Sequence, residues 1–296
     1  MIKRSVLFAI ALLLLYAAYV SYGNAVPVSQ HQWQDNTIRT QNYSYTDSLH
    51  KKDVIIGTSL TAMMEPNTLP GDVYMLVYPG MSVVNGIITL KENNIAPKYI
   101  FIEENAVLKP VNTDFNDYIF GDIHFYSKKY FPFLRDCYQP VGQAAGFVER
   151  HSAARVQFFS DWIFNPVLRV FQSNPKATID KEAHYRELKR RRNMVDTAAL
   201  ISSFTQLKNE LKWLEDRGTR IYFYATPTHP DVFKCKQSKA VMDAFKKYFP
   251  PGKYNYFEIP DVSQYTQLHD QLHLDKPSAI RYARVFSKEL NSARGH

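Results

Sequence analysis

Short apolar segments alternate with helical patterns through most of the chain, and this alternation limits its fold more than any other feature. The strand-like segments are 52–59, 72–80, 97–105, 220–230 and 253–261. Amphipathic helical patterns lie at 82–93, 196–217 and 278–290. Short buried strands that alternate with helices form a parallel sheet covered on both faces. We therefore predict an α/β fold, a three-layer α/β/α sandwich with a mainly parallel sheet, within residues 51–296.

The first 22 residues predict a transmembrane helix that precedes this domain. Lys3 and Arg4 are followed by an apolar run, residues 6–22, of about 17 residues, which is near the lower limit for a membrane span. The next basic residue is Arg39. By the positive-inside rule, this asymmetry leaves the N-terminus in the cytoplasm and the rest of the chain outside. We expect a single-pass protein of the cell inner membrane, with the main domain in the periplasm or outside the cell.

The first 22 residues also allow a second interpretation. The sequence GNA at 23–25 is an acceptable cleavage site, so residues 1–22 could be a signal peptide whose removal releases a secreted protein. A retained membrane anchor and a cleaved signal peptide both export the main domain.

Residues 23–50 are polar and have little periodicity, and we interpret them as a stalk.

Residues 107–195 interrupt the alternation of strands and helices, and we predict that they form an insertion. The insertion is rich in aromatic residues and ends near the basic run 189–192. It could add helices with an ordinary aromatic core, or it could form a surface that stacks rings on sugars.

Cys137 and Cys235 are the two cysteines, and an exported location permits a disulfide between them without showing that they meet.

The segment VIIGTS at 54–59 raises the question of catalysis. The turn that follows the apolar run could simply cap a helix, or it could present the Ser59 hydroxyl group as a nucleophile. In open parallel sheets, ligands bind outside the carboxyl ends of the strands, where Gly80 and the segment 103–105 also lie. A serine nucleophile needs a base, usually a histidine that a carboxylate orients. His273 and Asp270, one helical turn apart, supply both groups.

An acyl-transfer reaction also needs hydrogen-bond donors for the oxyanion that forms on the carbonyl oxygen. The backbone N–H of Ser59, at the start of a helical pattern, is one candidate donor. The backbone N–H of Gly80 is a second, because glycine lets the backbone approach a ligand closely. The side-chain amide of Asn105 is the third. We therefore predict catalytic roles for Ser59, Asp270 and His273, and oxyanion or substrate binding by Gly80 and Asn105.

Four short motifs in this order resemble the conserved blocks of the SGNH (GDSL-like) hydrolases. GTSL corresponds to the block with the nucleophile, and YPG corresponds to the glycine block. EEN corresponds to the asparagine block, and DQLHLD corresponds to the block with Asp-x-x-His. The resemblance covers about 53–105 and 196–290 and omits the insertion. Thr58 replaces the acidic residue beside the nucleophile, and the third block lacks its glycine and second acid, which weakens the assignment of Asn105.

The resemblance implies a serine-dependent ester hydrolase or O-acyl(acetyl)transferase that needs no cofactor. Together with the N-terminal helix, it is similar to the polysaccharide-modifying branch of the family, whose members add acetyl groups to exported glycans or remove them. It therefore implies an acylated polysaccharide or oligosaccharide as substrate, components of a polysaccharide biosynthesis machinery as partners, and no nucleic acid. The formal net charge of +8 is compatible with an acidic polymer but also with other anionic partners.

Two alternatives belong to other functional classes. His269 and His273 are spaced at i and i+4, as in helical zinc sites, so the protein could be a zinc hydrolase. This alternative leaves the GTSL motif unexplained and offers no third ligand. The other alternative is a catalytically inactive SGNH-like domain that binds glycans or acts as a scaffold subunit of a polysaccharide export system, and the weak third block favours it.

Overall fold

The main element of the structure, a computed structural model, is a sheet of five parallel strands. The described residues are 2–23, 25–29, 31–151, 186, 190, 192–258, 261–265 and 272–295. Within them, the strands are β1 (Asp53–Gly57), β2 (Val73–Val77), β3 (Tyr99–Glu103), β4 (Arg220–Tyr224) and β5 (Asn255–Tyr256). Their spatial order is β2-β1-β3-β4-β5, and every neighbouring pair is parallel. The predicted α/β class and parallel sheet are confirmed.

Ten α-helices accompany the sheet in the described part of the chain. They are α1 (Ile2–Tyr22), α2 (Gln32–Tyr45), α3 (Val83–Glu92), α4 (Thr113–Phe120), α5 (Asp122–Tyr130), α6 (Pro140–His151), α7 (Thr197–Glu215), α8 (Pro230–Phe233), α9 (Lys236–Tyr248) and α10 (Lys276–Arg294). Three of them, α3, α7 and α10, fall where the helical periodicity predicts them. Each of the three begins after a residue whose side chain accepts a backbone N–H, namely Ser82, Asp196 and Asp275.

The strands bury apolar side chains that alternate between the two faces of the sheet. Phe101 of β3 and Ile55 of β1 are register partners, and they belong to one buried cluster with Phe286 of α10. The next residue along β1, Ile56, has the opposite orientation, and a Cβ atom at Gly86 of α3 would lie 2.8 Å from its side chain. On β4, the ring of Phe223 packs against Phe245 of α9, with their centroids 5.0 Å apart.

Helix α1 has a mean hydropathy of 2.0 over its most apolar window and is long and apolar enough to span a membrane. This matches the helix predicted at the N-terminus. Its most N-terminal described residues include Lys3 and Arg4, and the apolar residues follow. The predicted topology and compartment stay predictions.

The described residues divide into two compact units. The helical unit comprises the described parts of Met1–Gln41 and Ile119–Ile179, and the sheet unit comprises those of Asn42–Tyr118 and Asp180–His296. The predicted insertion at 107–195 overlaps the second segment of the helical unit, although most of 152–191 lies outside the described residues. Cys137 and Cys235 are both buried free thiols, so the disulfide that the sequence left open is not formed.

The helical unit is organised around a buried carboxylate. Lys128 Nζ lies 2.5 Å from Asp136 Oδ2, and the side-chain amide of Gln41 donates to the same oxygen. Gln34 Nε2 donates to the Asp136 carbonyl oxygen at 2.7 Å. These contacts explain why the segment 23–50, predicted as a stalk of little periodicity, contains α2. The helix buries amide side chains, which leave no apolar stripe in the sequence.

Candidate active site

A cavity of about 320 Å³ lies at the carboxyl ends of β1 and β3. The strand order reverses between these strands, because β2 lies on one side of β1 and β3 to β5 lie on the other. Such a reversal opens a crevice that is the usual ligand site of an open α/β sheet. Thr58 to Leu60 line the cavity after β1, and Glu104 to Ala106 line it after β3.

Ser59 and His273 meet at this cavity although 214 residues separate them in the sequence. His273 Nε2 lies 2.8 Å from Ser59 Oγ, within the range that proton transfer between a nucleophile and its base requires. Both side chains are half-buried. The neighbouring Leu274 is buried in the core, and Asp275 caps α10 by accepting from the N–H of Ser278 at 3.0 Å. These two anchors fix the backbone that carries the imidazole.

The turn that carries Ser59 is held by the buried carboxylate of Glu103. Oε2 of this residue accepts from the backbone N–H of Thr58 at 2.7 Å and from the Thr61 hydroxyl at 2.7 Å. The Tyr224 hydroxyl lies 2.7 Å from Thr61 Oγ1 and 3.3 Å from the Ile56 carbonyl oxygen, to which it can donate. Burial raises the pKa of Glu103, and the hydrogen bonds from Thr61 and Thr58 oppose that rise.

The same carboxylate explains the glycine that ends β1. A Cβ atom at Gly57 would lie 2.3 Å from Thr61 Oγ1 and 2.8 Å from Glu103 Oε2. A side chain at this position would therefore displace the network below Ser59. Thr58 stands where the resemblance expects an acidic residue, and here a carboxylate reaches the turn from the neighbouring strand β3.

Asn105 also lines the cavity, and two hydrogen bonds fix its side-chain amide. Its Oδ1 accepts from the Thr226 N–H at 2.7 Å, and its Nδ2 donates to the Thr226 carbonyl oxygen at 2.9 Å. An amide nitrogen carries two protons, and no described group accepts the second one. No described group accepts the backbone N–H of Ser59 either. Both groups therefore stay available as the oxyanion donors that the sequence predicts.

The remaining predicted site residues are Gly80 and Asp270, of which the structure describes Gly80. Gly80 has a left-handed conformation with φ of 81°, and it lines a different cavity with Met81 and the segment 110–114. Asp270, the predicted carboxylate partner of His273, lies outside the described residues. His269 of the zinc alternative does so too. Among the residues that are described, no three His, Cys, Asp or Glu side chains group as metal ligands would.

Three charged residues of the cavity have no assigned role in the sequence-based prediction. Glu104 is 8% exposed, and burial raises its pKa to about 7, against the opposing charge of Lys246. Lys109 and Arg192 also line the cavity. The position of Glu104 at the carboxyl end of the strand-like segment 97–105 is the one signal in the sequence that could have marked it. Lys109 and Arg192 come from distant segments, so no local pattern joins them.

Comparisons with protein-family models, with curated proteins and with solved structures find no match to this chain. The resemblance of the four motifs to the SGNH hydrolases therefore depends on those residues alone. Evidence on function comes from the geometry of the cavity.

Proposed function

We propose that the protein is a serine-dependent ester hydrolase or O-acyl(acetyl)transferase with an SGNH-like, three-layer α/β/α domain. The observation that carries the proposal is the 2.8 Å contact between His273 Nε2 and the Oγ of Ser59, a residue that lines the cavity at the strand-order reversal. A serine that only capped a helix would have no need of a histidine partner. The half-buried pair has the arrangement of a nucleophile and its base.

In the proposed mechanism, Ser59 Oγ attacks the carbonyl carbon of an ester while His273 Nε2 accepts the hydroxyl proton. The tetrahedral intermediate places its negative oxygen near the Ser59 backbone N–H and the second Nδ2 proton of Asn105. When the intermediate collapses, His273 gives the proton to the departing alkoxide, and an acyl-serine remains. A carboxylate beside the imidazole, predicted at Asp270, would stabilise the imidazolium while charge develops.

The acyl-enzyme then needs a second nucleophile, and its identity decides the type of reaction. His273 removes a proton from water or from a sugar hydroxyl while that oxygen attacks the acyl carbon. The bond between the acyl carbon and Ser59 Oγ then breaks, and His273 returns the proton to Ser59. Water gives an esterase and a sugar gives a transferase, with the same residues in both. For Gly80, which lines a separate cavity, a direct role in oxyanion binding stays a prediction.

The proposed substrate is an acylated glycan outside the cytoplasm. Helix α1 is apolar enough for an anchor, and the charge asymmetry of Lys3 and Arg4 favours export of the sheet unit. Components of a polysaccharide biosynthesis machinery are the proposed partners. If the domain were an inactive scaffold, the contact between Ser59 and His273 would carry no reactivity, and this difference can be measured.

The test compares ester hydrolysis by the full-length protein in detergent with that of Ser59→Ala. The substrates are p-nitrophenyl acetate and an acetylated glycan. We expect the variant to lose roughly 10³-fold or more in kcat, because it lacks the nucleophile. Ser202→Ala, on the exposed face of α7, is the matched control and should keep the wild-type rate. Equal rates for wild type and Ser59→Ala, both above buffer, would overturn the proposal.

A further inference from the structure

Two cations line the wall of the cavity that contains Ser59. Lys109 lies in the loop after β3, and Arg192 precedes α7. Both side chains are half-buried. Much of the remaining wall is apolar, and residues such as Leu108, Phe233 and Val241 supply it. A pocket with this composition holds an apolar body and orients it through a few polar groups.

The two cations have no neutralising partner within the described residues. Neither one forms a hydrogen bond or an ion pair there. The charge of Glu103 acts on both of them, but its oxygens are already engaged by Thr58 and Thr61. Burial lowers the pKa of Lys109, and the charge of Arg192 lowers it further. Burial also lowers the pKa of Arg192.

Glu104, the carboxyl group that lines the same cavity, does not fill this role. Its electrostatic partner is Lys246, and it is not among the charges that shift Lys109 or Arg192. Two like charges in a partly dry pocket repel each other and lose hydration. A bound anion would offset both costs, so the two cations together have the electrostatic character of an anion site.

We propose that Lys109 and Arg192 form an anion subsite that binds a carboxylate group of the substrate beside the ester that Ser59 attacks. This inference depends on the proposed function, and it narrows the substrate class to carboxylate-bearing acyl esters. A cavity of about 320 Å³ is at the lower end of the range for small-molecule sites, so it accepts one sugar unit or one short acyl chain. The guanidinium fork of Arg192 suits a planar carboxylate, and Lys109 adds a second charge.

The carboxylate can belong to either side of the ester, and two pairs of substrates distinguish the sources. Monoethyl succinate against ethyl butyrate tests an acyl group that carries the charge. An O-acetylated methyl glucuronoside against the O-acetylated methyl glucoside tests a uronate sugar. We expect one of the two pairs to show a preference of about 10- to 100-fold in kcat/KM for its charged member, the value of one or two hydrogen bonds to an ion.

The variants Lys109→Gln and Arg192→Gln test the subsite itself. Each should reduce that preference about 10-fold, mainly through KM, and Lys109→Arg should retain most of it because it keeps the charge. Added salt should weaken the preference of the wild type and have less effect in the double variant. Lys208→Gln makes the same change of charge on the exposed face of α7 and should leave the preference intact.

A binding measurement separates failure of the subsite from failure of the proposed function. Methyl glucuronoside and succinate are titrated into full-length Ser59→Ala, with methyl glucoside and butyramide as neutral controls. Tighter binding of the charged member of either pair, lost in Lys109→Gln, supports the subsite even if no ester is cleaved. Equal binding of charged and neutral ligands, or equal kcat/KM values in an active enzyme, would refute the subsite and leave the role of Ser59 standing.

Discussion

Two buried carboxyl groups, Asp136 in the helical unit and Glu104 in the sheet unit, differ in how they are paired. In the helical unit, Asp136 is 4% exposed and has a cation, Lys128, at 2.5 Å, together with amide donors from Gln41 and Gln139. In the sheet unit, Glu104 is 8% exposed, and among the described residues no group forms a hydrogen bond or an ion pair with its carboxyl group. Similar burial therefore accompanies an ion pair with amide hydrogen bonds at Asp136, and no hydrogen bond or ion pair from the described residues at the Glu104 carboxyl group.

The difference separates a structural carboxylate from one that belongs to a site. The desolvation cost of Asp136 is offset by local contacts that join α5 to α2, so its charge is part of the core of that unit. Glu104 lines the cavity of Ser59 and has only the charge of Lys246 to oppose the effect of burial, which raises its pKa to about 7. Titratable groups whose pKa is strongly shifted concentrate at functional sites, because catalysis and binding use the shifted pKa even where it costs stability. Replacing the two residues should therefore change stability in opposite directions.

The largest expected effect follows replacement of Asp136. Asp136→Ala leaves the buried Lys128 ammonium group without its partner and should destabilise the helical unit by about 3–5 kcal/mol. Hydrogen exchange of the α5 amides measures the change. Gln139→Ala removes a longer contact of 3.2 Å to the same carboxylate and should cost less than about 1 kcal/mol. A similar small cost for Asp136→Ala would remove the contrast between the two units.

A smaller effect, of opposite sign, is expected for Glu104→Gln. The folded-state pKa of about 7 lies above the ordinary value of 4.5, so the stability that protonated Glu104 contributes is complete below 4.5 and is lost as the pH rises through 7. The loss corresponds to roughly 3 kcal/mol of unfolding free energy, because a pKa difference of one between the folded and unfolded states is worth about 1.4 kcal/mol. Relative to wild type, Glu104→Gln should therefore gain stability between pH 4.5 and 8.

Urea unfolding of both proteins at pH 4.5, 6 and 8 measures this gain. Glu92→Gln, at the end of α3, provides the control, because its side chain is exposed. Its stability should remain parallel to that of the wild type across the range. A Glu104→Gln profile that is also parallel to the wild type would show that the carboxyl group is ionised at no cost, and the contrast with Asp136 would disappear.

The elements that the sequence predicts correctly are those with a repeating apolar signal. The core positions of α10, such as Tyr282, Phe286 and Leu290, recur at helical spacing and pack on the sheet. Helix α2 gives no such signal, because the side chains that it buries near Asp136 are amides. Its polar contacts depend on residues about 95 to 102 positions away, which no local pattern contains.

Part of the candidate site is also predictable from the sequence. Ser59 and His273 follow from motifs at a strand end and before a helix, where local chemistry is informative. The support that Glu103 gives to the Ser59 turn depends on β1 and β3 being register neighbours, which is a property of the sheet. Lys109 and Arg192 lie near the two ends of the predicted insertion and line one cavity only because the fold brings these segments together. Such long-range contacts become visible only in the folded chain.

The central claim is that His273 activates Ser59, and covalent labelling tests it most directly. The full-length protein is treated with a serine-directed fluorophosphonate, and the modified residue is identified by peptide mass spectrometry. We predict modification at Ser59, abolished in Ser59→Ala and slowed by roughly 10²-fold or more in His273→Ala, since the base contributes at least that factor. Labelling of Ser59 that is no faster than that of the exposed Ser202, or equally fast with and without His273, would contradict the account.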